Sequence, residues 1–127
     1  MQKPNLFGIF LKEKRQAANL SLRELADTIG VAHTYILSIE NGSKAPPGDI
    51  TLKKIAKVLH FDEETAGFFY DLAAKCKQSS DNKNLYIPMD ISEYLQKNQS
   101  AKTVIRNANK LGYDNEFWIE ILKQFGN

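Results

Sequence analysis

A single cysteine, Cys76, stands in the 127 residues, so no internal disulfide framework can form and a reducing, cytoplasmic setting is expected. No apolar run approaches the roughly 20 residues that cross a bilayer, so no membrane role is expected. Residues Met1 to Phe10 lack the basic start, apolar stretch and cleavage site of a leader and read as helix. Histidine is as scarce as cysteine. His33 and His60 share no metal-ligand spacing with each other or with Cys76, and no metal or other cofactor is expected. There is no glycine-rich phosphate loop and no pair of carboxylates set as acid and base. Glu63-Glu64 reads as the acidic first turn of a helix, and Cys76, in helical context without a nearby histidine, reads as a structural thiol. An enzymatic role is therefore not expected. Alternating strand patterns, internal repeats and low-complexity tracts are absent as well.

What remains is ordinary soluble-protein composition, 43% hydrophobic and 25% charged, with net charge +2. The charge is uneven. Residues 1–60 carry nine Lys or Arg against five Asp or Glu, and the remainder carries eight against ten. A basic front half points toward a polyanionic partner.

The apolar periodicity is helical almost throughout. Phe7, Phe10, Leu11, Lys14 and Ala18 define one face of a first helix, capped by Asn5, and Asn19 marks the turn after it. Ser21 and Glu24 form a capping box for a second helix carrying Leu22, Leu25, Ala26 and Ile29, which Gly30 ends. A third short helix, from about Ala32 to Asn41, turns Ile36 and Ile39 inward and stops at Gly42. Pro46 and Pro47 stiffen the loop that follows. Asp49 is expected to cap a fourth helix (Leu52, Ile55, Ala56, Leu59), and Asp62 a fifth (Ala66, Phe69, Leu72, Ala73). The polar stretch Gln78 to Asn84 reads as a linker. Three further helices are expected beyond it. Asp90 and Glu93 would box the first, Ser100 would cap the second and Asp114 the third, which carries Phe117, Trp118, Ile121, Leu122 and Phe125.

Two short helices joined through Gly30, with another helix before them, are the parts of a helix-turn-helix. Ala26 is small enough for their closest approach, Val31 is the apolar residue that fixes their angle, and Ile36 and Ile39 anchor the second. His33, Thr34, Leu37 and Ser38 lie toward its outer face.

In this register the chain resembles the Xre/Cro-repressor family. The resemblance rests on Phe7-Gly8, Leu11, Arg15, Leu20-Ser21, Glu24-Leu25-Ala26, Gly30-Val31, Ile36, Ile39-Glu40-Asn41-Gly42 and Pro46. It continues more loosely through Leu52, Ile55-Ala56 and Leu59. It implies an all-α fold, a five-helix bundle that binds double-stranded DNA, here followed by a three-helix extension. It implies a structural ion pair between Arg15 and Glu40. Base contact would fall to His33, Thr34, Leu37 and Ser38, and backbone contact to Arg23, Tyr35, Asn41, Lys44 and Lys53, with Lys54 beside it. Two positions depart from the family pattern. Leu22 replaces a common glutamine that holds a phosphate, and Ala32 replaces the Ser or Thr that caps the recognition helix.

The chain thus divides into residues 1–77 for DNA binding, 78–84 as linker and 85–127 as a helical segment. That last segment either packs on the bundle or makes a homodimer, with Tyr94, Trp118, Ile121 and Phe125 as its contacts. A repressor that binds a palindromic operator as a dimer is the expected function. The alternative is a helix-turn-helix protein-interaction module, such as an antitoxin or a regulator that masks a partner, with a protein or peptide bound at the C-terminal segment.

Overall fold

A computed structural model describes residues 6–80 and 87–125, with side chains described through Lys77 and again from Ile87. The described residues form eight helices and no strands: α1 Leu6–Ala17, α2 Leu22–Ile29, α3 His33–Glu40, α4 Asp49–Val58, α5 Glu63–Ser80, α6 Met89–Lys97, α7 Gln99–Lys110 and α8 Asn115–Gln124. The fold is all-α, with the helix-turn-helix in α2 and α3. No helix among the described residues is long and apolar enough to cross a membrane. The chain separates into two compact units, residues 1–91 and 92–127.

In the first unit, α1 packs on α3 and α5, α2 on α3 and α4, and α4 on α5. Phe7, Leu11, Leu25, Ile36, Ile39, Ile55 and Phe69 are the largest side chains wholly withdrawn from solvent. Each such burial contributes about 1.5–3 kcal/mol before the entropy of ordering is charged against it. Phe7 stacks on Phe69 at 4.9 Å, and Phe61 meets the same ring edge-on at 5.2 Å. Phe61 belongs to no helix and was not singled out in the sequence; it closes the α4–α5 turn over the core. Met89, at the start of α6, is also buried in this cluster.

Turn chemistry follows the expected residues in the front half. Asn19 takes φ 59°, and its main chain folds back on Gln16. Gly30 takes φ 81° and donates its N–H to the Ala26 carbonyl, which also accepts from Val31. His60 is exposed at φ 55° and ends α4 in the same left-handed way. The Ser21–Glu24 box closes with two reciprocal bonds of 3.0 Å. Asp62 accepts from the Thr65 N–H at 2.7 Å ahead of α5.

Other expectations are corrected. Asp49 does not cap α4; it is the first helical residue, and Gly48 stands at the cap with no side chain to offer. Asp90 lies inside α6, so it cannot box with Glu93; its carboxylate accepts from the Ile91 N–H instead. Ser100 is likewise inside α7, which starts from Asn98 without a side-chain cap. In each case the helix begins one or two residues earlier than the polar residue suggests, because a first-turn Asp or Ser is tolerated without being the cap. Ala18 is exposed beyond the end of α1, and the buried stripe runs through Phe7, Gly8, Leu11 and Arg15. The Asn5 cap falls outside the described residues. So do positions 81–84 of the expected linker, while α5 extends to Ser80.

The second unit has little interior. Ala108 is buried and Phe117 is half-buried, stacked on Tyr113 at 4.4 Å. Asp114 caps α8 through the Glu116 N–H, as expected. Tyr94, Val104, Ile105, Leu111, Trp118, Leu122 and Phe125 are exposed, whereas Ile121 is half-buried.

Candidate functional site

The site is built on α3, and the first question is what holds that helix in place. Its inner face is Ile36 and Ile39, both wholly buried. Its C-terminal end lies against α1 at Gly8. A methyl group at Gly8 would collide with the Glu40 carbonyl oxygen and sit 2.6 Å from that of Ile39, closer than carbon and oxygen approach. Only glycine allows the two backbones to meet there.

About two turns along α1, Arg15 fixes the same end of α3 by its side chain. Its Nε donates to Glu40 Oε2 at 2.7 Å and its Nη2 to Oε1 at 3.0 Å. The remaining arm, Nη1, donates to the Leu20 carbonyl at 2.8 Å, so one guanidinium ties α1, the α1–α2 turn and α3 together. Both residues are buried, at 7% and 5% exposure. The Glu40 hydrogen bonds raise the already high pKa of Arg15, against the opposing effect of burial. The ion pair implied for these two residues is therefore present, and it is a bidentate fork of the strong, charge-assisted kind.

With its inner face and its end fixed, α3 turns His33, Thr34 and Leu37 to solvent, with Leu37 46% exposed. Ser38 is half-buried, and its hydroxyl donates to the Thr34 carbonyl at 2.9 Å. That bond uses its only proton. Tyr35 is also half-buried, packed against the core, and the Lys44 ammonium lies 5.5 Å over its ring. Asn41 ends α3, and its side-chain Oδ1 accepts from the Ser43 N–H at 2.9 Å. Arg23, Lys44 and Lys53 are exposed, on α2, in the loop after α3, and on α4. Ala32 occupies the N-cap of α3 in extended backbone with no side-chain bond, so the first amides of α3 lack the usual internal acceptor.

A cleft of about 450 Å³ opens beside this surface, lined by Ile9, Lys12, Arg15, Leu22, Leu37 and Asn41 among others. Leu22, the departure at the start of α2, and Leu37 on α3 therefore share one wall, and with Ile9 they make it apolar. This patch was not foreseen. The signal for it was the apolar residue at position 22, where a polar one was expected.

Residues 11–64 match the protein family described as helix-turn-helix. Over these residues the chain is similar to helix-turn-helix proteins of the Xre type. The uncharacterized HTH-type transcriptional regulator MT0491 of Mycobacterium tuberculosis (strain CDC 1551 / Oshkosh) is 37% identical over 57 residues, covering 45% of this chain and 40% of that protein. RghRB of Bacillus subtilis, also an uncharacterized HTH-type transcriptional regulator, is 42% identical over 53 residues, 42% of this chain and 38% of its own length. The ImmF control region 10 kDa protein of Bacillus phage phi105 is 36% identical over 55 residues, 43% of this chain and 60% of its own. The matched region spans about two-fifths of the first two relatives.

The matched stretch contains the second half of α1 and all of α2, α3 and α4. It therefore includes Arg15, Glu40 and every residue expected at a DNA surface. Cys76 lies outside it, half-buried, with its thiol pushed up by desolvation.

Proposed function

We propose that this protein is a sequence-specific double-stranded DNA-binding transcriptional regulator, a repressor that binds a palindromic operator as a homodimer. One observation carries the reading. A short helix is fixed from behind by Ile36 and Ile39, and at its end by the Gly8 contact and the Arg15–Glu40 fork, while His33, Thr34 and Leu37 remain exposed on its free side. A groove-reading helix needs that combination, because side chains discriminate bases only when their backbone is held still. Residues 1–77 carry the DNA-binding role in this reading, 78–84 connect, and 85–127 assemble the dimer. His33, Thr34, Leu37 and Ser38 face the bases; Arg23, Tyr35, Asn41, Lys44 and Lys53 face the backbone.

The dimer is supported by the exposed apolar residues of the second unit, Tyr94, Trp118 and Phe125 foremost, with Ile121 beside them. Exposed apolar side chains in this number suit an association site. Two-fold pairing would place two copies of α3 one helical turn of DNA apart. The same residues equally suit a protein partner, the second reading, in which the chain masks another protein.

Selection of bound sites from random duplexes tests the proposal. The expected product is a two-fold motif with half-sites about 10 base pairs apart. Thr34→Ala is expected to weaken the selected complex by about 1–3 kcal/mol without lowering the melting temperature. A protein that enriches no motif and ignores duplexes at low ionic strength overturns the proposal. The masking reading takes its place if Trp118→Ala then abolishes a protein complex that Thr34→Ala leaves intact.

A further inference from the structure

We infer that the recognition helix discriminates its site chiefly by the 5-methyl group of thymine, which Leu37 contacts, rather than by paired hydrogen bonds to base edges. The inference rests on the DNA-binding reading above and specifies what α3 reads.

The argument starts from the register of α3. At about 3.6 residues per turn, Leu37 and Asn41 fall between His33 on one side and Thr34 and Ser38 on the other. Opposite the buried pair Ile36 and Ile39, the outer face centres on Thr34 and Asn41, and Leu37 stands about 50° from the centre, on the side toward α1. It is 46% exposed, and it shares the wall of its cleft with Leu22 and Ile9. An exposed leucine backed by apolar neighbours keeps a defined position and presents methyl groups outward.

The polar residues around it have limited means. Bidentate reading of guanine needs Arg or Lys, and bidentate reading of adenine needs Asn or Gln. Residues 33–38, His-Thr-Tyr-Ile-Leu-Ser, contain none of these. The Ser38 proton is already given to the Thr34 carbonyl, which leaves that hydroxyl as an acceptor only. The Asn41 Oδ1 accepts from the Ser43 N–H, which ties that side chain to the loop after α3 and leaves it one lone pair and its Nδ2 protons. Tyr35 is packed against the core with Lys44 over its ring. His33 offers its ring nitrogens and Thr34 one hydroxyl, and Thr34 brings a further methyl. Hydrogen bonding across this face thus rests on few groups, and an exposed leucine stands beside them.

In the major groove, the thymine methyl is the one apolar feature among the four base pairs. It is the group that an exposed apolar side chain on α3 can select. Loss of one buried methyl costs about 0.8 kcal/mol, which corresponds to about fourfold in affinity per half-site and about 15-fold for a symmetric pair.

The test uses the full-length chain and the duplex recovered by selection. Each thymine is replaced in turn by deoxyuridine in both half-sites, which deletes the methyl and preserves pairing. One thymine position is expected to show a loss of about 15-fold. With Leu37→Ala, that loss shrinks to near unity while the loss at other positions stays as it was. Leu37 is half-exposed, so the variant is expected to melt with the parent, which the same preparation checks. Deoxyuridine tolerated at every position overturns the inference, as does a thymine preference that survives Leu37→Ala. In both cases the parent chain still binds its duplex, and the DNA-binding reading stands. A parent chain that binds no duplex overturns that reading itself.

Discussion

The Arg15–Glu40 fork can be broken from either side, and the two sides make different demands. Arg15→Met leaves the Glu40 carboxylate 5% exposed and stripped of the two donors that now meet it at 2.7 and 3.0 Å. It also leaves the Leu20 carbonyl without its 2.8 Å donor. Removing one partner of a buried pair costs about 3–5 kcal/mol, mostly the penalty of an uncompensated charge. Against a total stability on the order of 5–15 kcal/mol, that is a large fraction. It corresponds to a melting point lower by roughly 12 °C or more in a domain of this size. Glu40→Leu is expected to cost a similar amount, because it strands the guanidinium. The double variant Arg15→Met/Glu40→Leu removes both charges and is expected to return to within about 1 kcal/mol of the parent. Arg15→Lys keeps the charge and loses the fork, at a cost of about 1–2 kcal/mol. Urea unfolding followed by far-ultraviolet circular dichroism measures all four, read as midpoint shifts at constant slope. Single variants that cost under about 1 kcal/mol would refute the reasoning, since that is the value of an exposed pair. So would a double variant no more stable than the worse single, since the cost would then lie in packing and not in stranded charge.

Gly8→Ala is expected to lower stability by about 1–3 kcal/mol or more, because the obstructing atoms are the backbone carbonyls of Ile39 and Glu40; thermal melting checks it. Ala32→Ser is expected to raise stability by about 1 kcal/mol, since residue 32 already has the extended backbone of a cap at φ −72° and ψ 142° and lacks only the acceptor. Backbone hydrogen bonds from Ser21 and Thr65 hold the carboxylates of Glu24 and Asp62 below their ordinary pKa values. Groups depressed in the folded state contribute stability above their unfolded pKa values and lose it as pH falls through the folded ones, so the loss belongs below about pH 4. Glu24→Gln with Asp62→Asn is expected to flatten that acid limb, as melting temperature against pH will record.

Local signals and long-range signals differed in how far the sequence revealed them. The Ser21–Glu24 box, the Gly30 turn and the inward pair Ile36 and Ile39 were legible because each depends on residues within one or two helical turns. The helix starts near Asp49, Asp90 and Ser100 were misread for a related reason. A polar residue in the first turn and a polar residue at the cap look alike in sequence, and only the backbone dihedrals separate them. The Arg15–Glu40 pair spans 25 positions, and the family resemblance supplied it. Physical reasoning had a route to one half of it: Phe7, Leu11 and Arg15 follow one another at intervals of four on α1, so a charge sits in line with two buried apolar residues and must find a partner. Nothing of that kind pointed to Gly8, whose role is a distance between two backbones, or to Ser38, whose hydroxyl turns inward along its own helix. The Ser38 case bears on function. A residue-by-residue transfer assigns Ser38 a base contact because the position matches, yet its donor is consumed locally, while Leu37, which no hydrogen-bonding logic favours, stands exposed beside the centre of the face. The groove-facing chemistry of α3 is therefore set less by which residues occupy the expected positions than by which of them still have an unfilled valence or an uncovered methyl to offer.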